Sequence, residues 1–252
     1  MESLSVTQNG TYEEIGKAYS PVEVDVSGSG GYTVSQIASR SNVIVGDIVL
    51  DNADNDLRGG AFSYCKGITS VSAPNFTGAN NANYGFQSAF LGCTGITRIS
   101  FPNAVGFANN TFEGCSGLTA VVLPKLLRVD QSCFGKCTNL ERFDAGGNGS
   151  GSIASYAFQS GHLSMLVLRS NTMASLGNTN AFNNSPFASN GTGGTLYVPN
   201  SLISSYQGAT NWSTILGYAN NQIKSIESTH TDPNAPIDLT LYYADGTLIP
   251  TT

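Results

Sequence analysis

Five cysteines and two histidines are the side chains in this 252-residue chain with the readiest metal or nucleophilic chemistry. Their spacing argues against both uses. Cys65, Cys93, Cys115 and Cys137 each stand three residues after a phenylalanine, at Phe62, Phe90, Phe112 and Phe134. Cys133 stands elsewhere, in the slot that Ala61, Ala89 and Ala157 fill. A zinc site needs other ligand spacings and more histidine than His162 and His230 provide. An odd count in a long chain argues against a disulfide framework. The reading is five free thiols acting as small hydrophobes. His162 sits at a turn beside Gly161, and His230 with Asp232 lies in polar sequence without a nucleophile nearby. Asp51, Asp54 and Asp56, interleaved with Asn52 and Asn55, have the outline of a calcium loop. They lack the glycine at its sixth place and the distal glutamate. No catalytic set, metal or cofactor is expected, and the chain reads as a non-enzyme.

What the cysteines mark is a repeat. Ala61-Phe62-Ser63-Tyr64-Cys65-Lys66-Gly67-Ile68 returns as Ala89-Phe90-Leu91-Gly92-Cys93-Thr94-Gly95-Ile96. It returns again from Thr111 to Leu118, from Cys133 to Leu140 and, more loosely, from Ala157 to Leu163, with a fragment at Ala181-Phe182. The phenylalanines step by 28, 22, 22, 24 and 24 residues. A period in the twenties marks a solenoid. Each coil predicts a short helical or 3-10 turn around the Phe and Cys, a bend at Gly67, Gly95, Gly117 or Asn139, then a short strand. The strands carry paired apolar residues: Ile68 and Val71, Ile96 and Ile99, Leu118 and Val121, Leu140 and Phe143, Leu163 and Leu166. Pro74, Pro102 and Pro124 end three of them, since proline lacks the N–H a ladder needs. Leu57, Phe107, Val129 and Ile153, five residues before a repeat phenylalanine, form a further inward column. The fold class is mainly β: a solenoid of short parallel strands and helical or 3-10 turns, capped at both ends.

The flanks divide the chain. Residues 1–27 read as a small β attachment module, with alternation at Leu4–Thr7 and Val22–Val26 around an Asn9-Gly10 turn. Residues 28–31 are a Gly/Ser linker. Residues 32–60 form an N-terminal cap, with a short helix at 34–39 and strand sequence at 43–50. The repeats occupy 61–194. Residues 195–228 make a C-terminal cap, in which Asn200 is placed to cap a helix from 201 to 207. Residues 229–252 are a polar link and a hairpin around Asp245-Gly246.

Composition narrows the partners. Only 11% of residues are charged, against roughly 25% in an ordinary soluble domain, so the surface is built from Asn, Ser, Thr and Gly. A net charge of −6 without a Lys/Arg cluster argues against nucleic acid. No apolar run is long enough to span a bilayer. Met1 to Ser5 has neither a basic region nor an apolar core, so no signal peptide is visible.

Binding residues are expected where the repeat leaves positions free. On the strand face these are Arg98, sharing a column with Arg142, and the charged cluster Glu141, Arg142 and Asp144. The first coil carries about six extra residues, and extra residues in a solenoid leave as loops. Phe76, Asn80, Asn81, Asn83, Tyr84 and Phe86 in that loop set aromatics among Asn and Gly, a mixture suited to glycan or protein contacts.

The pattern Ala-Phe-x-Gly-Cys-x-x-Leu-x-x-Ile-x-x-Pro, repeated over residues 57–228 with a closing Tyr197-Val198-Pro199 strand, resembles the BspA-type leucine-rich repeats of bacteria. Gly161 and Ser185 depart from it where cysteine is expected. Val6 to Val26 resembles a module at the start of phage and prophage tail-associated proteins. The two resemblances imply adhesion or host-surface recognition. They place the protein on a phage tail in the virion, with the alternative of a bacterial surface or secreted adhesin. The implied partners are other tail proteins, through residues 1–27 and 237–252, and a host surface protein or glycan. A homo-oligomer is compatible with the sequence, though no coiled-coil heptads support one.

Overall fold

The computed structural model describes residues 45–50, 60–78 and 86–226, with the backbone of three short strands at 5–6, 12–13 and 22–24. Within these residues the repeat winds as a three-sided coil. The first side carries the strands predicted from the paired apolar residues. β1 (Ser5–Val6), β2 (Tyr12–Glu13), β3 (Val22–Val24), β4 (Val45–Val49), β5 (Gly67–Ser72) and β6 (Arg98–Ser100) form one sheet in the order β2-β1-β3-β4-β5-β6. Only β1 and β2 run antiparallel; β3, β4, β5 and β6 pair in parallel.

A second side was legible only as the column Phe107, Val129, Ile153. It is a sheet in its own right. β7 (Gly106–Phe107), β9 (Arg128–Val129), β11 (Ser152–Ile153) and β13 (Ser175–Leu176) are two-residue strands paired in parallel, coil upon coil. The first side continues with β8 (Ala120–Leu123), β10 (Arg142–Ala145), β12 (Met165–Leu168), β14 (Thr195–Val198) and β15 (Gln222–Ser225), all parallel. Its register sets Val121 beside Phe143, Phe143 beside Leu166 and Leu166 beside Leu196. The inward column is therefore continuous, as the sequence predicts.

The third side corrects an expectation. A single 3-10 segment, Thr179–Phe182, stands where helical turns were expected in every coil. The other coils make tight turns with a left-handed residue two places before the repeat phenylalanine and another two places after it. Gly60, Ser88, Asn110, Ser132 and Tyr156 hold the first place; Tyr64, Gly92, Gly114, Lys136, Ser160 and Asn184 hold the second. Alternate N–H groups then point along the solenoid axis. In one coil Ser88, Phe90 and Gly92 donate to the carbonyls of Asn109, Thr111 and Glu113, at 2.9, 2.9 and 2.7 Å. Ladder bonding between coils replaces the intra-segment bonds of a helix. That explains why left-handed backbone, disfavoured for a residue with a Cβ, recurs here.

These three sides enclose one core. Phe62, Phe90, Phe112, Phe134, Phe158 and Phe182 stack in a file with ring centroids 5.4 to 6.0 Å apart and planes within 17° of parallel. The five cysteines are buried free thiols, as expected. The column explains their position. Cys93, Cys115 and Cys137 each donate to the carbonyl of the phenylalanine one coil back, at 2.9, 3.2 and 3.2 Å. Burial pushes the thiols of Cys65, Cys93 and Cys137 up to about 12 and raises those of Cys115 and Cys133 as well. Neutral thiols of that kind pack and do not attack.

The C-terminal end is closed by aromatics. Asn200 proves to be the first residue of a 3-10 turn, Asn200–Leu202, behind Pro199, and Leu202 rather than Asn200 stands at the cap of the helix that follows. α1 (Ile203–Gly208) and α2 (Trp212–Leu216) follow. Trp212 Nε1 donates to the Ala174 carbonyl at 2.8 Å, and the Tyr206 hydroxyl accepts from the Ala174 N–H at 2.9 Å. Asn211 donates to the Leu176 carbonyl, so the last rung of the second sheet does not end on an open edge.

Candidate functional site

Successive outward positions on the first side form columns. One runs Asp47, Ser70, Arg98; the next ladder continues the same position as Ala120, Arg142, Met165, Thr195 and Gln222. β6 lies beside β8, and the repeat aligns Arg98 with Ala120. Arg98 and Arg142 are thus two coils apart, about 10 Å at strand spacing, with the small, buried Ala120 between them. Arg142 and its neighbour Glu141 are exposed, and Arg98 is half-buried. Strand register sets Arg98 beside Ser70 and Arg142 beside Ala120, and the phase of the repeat joins the two pairs into one column.

Asp144 does not belong to that open cluster. It is 1% exposed, although its position points outward. Arg169, from the segment following β12, reaches back one coil and grips it with both arms, Nε to Oδ1 at 2.8 Å and Nη2 to Oδ2 at 2.6 Å. Burial raises the carboxyl above its ordinary range and the guanidinium opposes that. The pair is a structural clamp, and Asp144 is withdrawn from the ligand-facing set.

The inserted loop is corrected in part. Phe76 and Phe86 are buried, not displayed. Their rings meet at 4.1 Å, and Phe76 also stacks on Phe107 and meets Phe101 edge-on. The apolar ends of the insertion obey the coil's own inward rule. Thr77 accepts from the Val105 N–H, and Arg128 donates to the Gly78 carbonyl at 3.3 Å, so the loop leaves as an extra rung against the second sheet. Asn80, Asn81, Asn83 and Tyr84 lie outside the described residues, as do Asp51, Asp54, Asp56, His230 and Asp232.

Three charged positions were not anticipated. Asp47 accepts from Ser70 at 2.6 Å and Thr69 at 2.9 Å. The Ser70 bond foremost, then Thr69 and Arg98, hold its carboxyl below the usual range against a contrary effect of burial. Arg128 Nε lies 3.0 Å from Asp130 Oδ1 but is not aligned to donate, and it has no other acceptor. Glu113, almost buried, accepts from Lys136 Nζ at 2.5 Å and from the Asn110 amide. The bonds of Asp47 to Ser70 and Thr69 and of Glu113 to Lys136 join one coil to another, a relation the linear sequence does not display. The asparagines act similarly: Asn103 and Asn139 donate to the carbonyls of Pro74 and Ser116 in the preceding coil. Among the described residues no group of three or more His, Cys, Asp or Glu is placed to hold a metal, and no helix is long and apolar enough to cross a membrane.

A stacked file of phenylalanines, a parallel strand side and a repeating turn side define a leucine-rich-repeat solenoid. The chain belongs to the BspA type leucine rich repeat family, whose sequence model matches residues 55–188 in six copies. No curated protein and no solved structure matches the chain. Repeats of this family suggest protein binding or adhesion and typically serve as binding scaffolds. The match does not reach residues 6–26, and the likeness of that segment to tail-associated modules gains no support from it.

Proposed function

We propose that the protein is a non-enzymatic recognition scaffold whose outward strand face contacts a partner on a cell surface. The observation that carries this is the column Arg98, Ala120, Arg142, with Glu141 at its side. Arg142 is exposed on a rigid ladder, two strand spacings (about 10 Å) from Arg98, and the small Ala120 between them leaves room for an anionic group to sit on the Arg142 guanidinium. A solenoid presents such a column without rearrangement, so little ordering cost opposes binding. Binding of the purified chain to whole bacterial cells and to isolated cell-wall fractions tests this. Arg142→Ala should weaken capture about tenfold, the usual size for one charged contact, and capture should fall as salt rises. Capture equal to the parent's in both conditions would remove the strand face from the reading.

The finer placement is a mount on a phage or prophage tail through residues 1–27, with residues 237–252 as a second attachment. Its support is the sequence likeness of Val6 to Val26 to such modules. Antibody detection in purified particles against host envelope fractions tests it. Signal in the envelope alone would favour the bacterial surface adhesin.

A further inference from the structure

The turn side carries one feature that neither the core nor the strand face uses. Tyr64 is 58% exposed and is the only exposed large hydrophobic side chain among the described residues. Its backbone is left-handed, with φ +62°, a conformation that a bulky residue adopts only under constraint. The equivalent positions of the next two coils hold Gly92 and Gly114. The ring lies against Gly92: a methyl group added there would fall 2.6 and 2.8 Å from Cδ1 and Cε1. Beyond Gly114, the same position holds Lys136, whose ammonium donates to Glu113. That bond and the Glu113 charge raise the Lys136 pKa. The Asn110 amide binds the other Glu113 oxygen.

We propose that this strip is a glycan subsite, in which a hexopyranose ring lies on the free face of Tyr64 and its hydroxyls reach Lys136 and Glu113. The chemistry selects the occupant. A protein interface needs about 1,000 Å² with an apolar centre, and one ring among glycines and polar groups does not supply that. An anion finds the Lys136 charge already matched by Glu113. An uncharged ring with one C–H face and a rim of hydroxyls meets both parts of the site. The glycines keep the floor open, since a Cβ at Gly92 would collide with the Tyr64 ring. The subsite is on a different side of the coil from Arg98 and Arg142, so it stands or falls independently of the strand face.

The test is calorimetric titration of the full chain with hexasaccharides of glucose, N-acetylglucosamine, mannose and galactose. At least one should bind the parent. Tyr64→Ala should weaken that binding about tenfold, while Tyr64→Phe stays within about threefold, because the ring face carries the contact. Tyr64→Gly should weaken binding to the same extent as Tyr64→Ala without lowering the Tm, since glycine takes the left-handed backbone freely. Arg142→Ala should bind the sugar as the parent does. The proposal is overturned if no hexasaccharide binds the parent, if Tyr64→Ala binds equally well, or if Tyr64→Gly melts lower and so assigns the ring to packing.

Discussion

The strand side and the turn side of each coil are both ladders of parallel hydrogen bonds, yet they tolerate residues differently. Strand positions have ordinary extended backbone, so an outward place accepts Ser70, Arg98, Ala120, Arg142 or Met165 without cost to the ladder. Turn positions require left-handed backbone twice per coil, which glycine adopts freely and other residues do not. Gly92 and Gly114 meet that demand; Tyr64, Lys136 and Ser160 meet it only because the coil-to-coil bonds hold them there. Variation on the strand side is therefore cheap, and a departure from glycine on the turn side calls for a reason. Lys136 has one in Glu113. Tyr64, exposed to solvent, has none inside the fold.

Several substitutions would break or sharpen this contrast. The largest effect is expected at the file that joins all three sides. Phe112→Ala removes a fully buried ring stacked between Phe90 and Phe134, and should cost roughly 3–5 kcal/mol in urea unfolding. A loss below about 1 kcal/mol would mean that the coils fold independently of the file.

Next comes the one outward strand position that is not free. Asp144→Ala leaves Arg169 without its carboxylate partner, and should cost about 3 kcal/mol, at the lower end for a broken buried pair, because Arg169 keeps 26% of its side chain exposed. If Asp144→Ala is as silent as a surface change, the strand side is uniformly permissive and the clamp has no structural weight.

Gly92→Ala is smaller, about 1–2 kcal/mol, from left-handed backbone and the displaced Tyr64 ring together. Ser160→Gly at the equivalent place should be neutral or slightly stabilising by the same denaturation assay. Equal effects of the two would mean that the turn side makes no demand for glycine.

The smallest effect is a pH dependence at Asp47. Its carboxyl is depressed in the folded chain, so its stabilisation is fully present above the unfolded value near 3.8 and is lost as pH falls through the lower folded value. Thermal melts of the parent and Asp47→Asn should differ at neutral pH and converge in acid. A constant gap across that window would show that the Ser70 and Thr69 bonds do not depend on the charge.

Sequence alone resolved whatever repeats within a coil. The Phe and Cys spacing determined the solenoid, its inward columns and the neutral, buried thiols, because burial follows the period wherever a coil must enclose apolar mass. It also located Arg98 and Arg142 in one column, since equal phase means equal position. Tertiary structure decided what passes between coils. Asp144 looked like part of an open charged cluster because its partner Arg169 is 25 residues away and meets it only once the coils stack. Phe76 and Phe86 looked displayed because the insertion hides that its two ends still follow the inward rule. The left-handed backbone at Tyr64, Lys136 and Ser160 has no residue-type signal at all: axial hydrogen bonds impose it, and those bonds exist only between neighbouring turns.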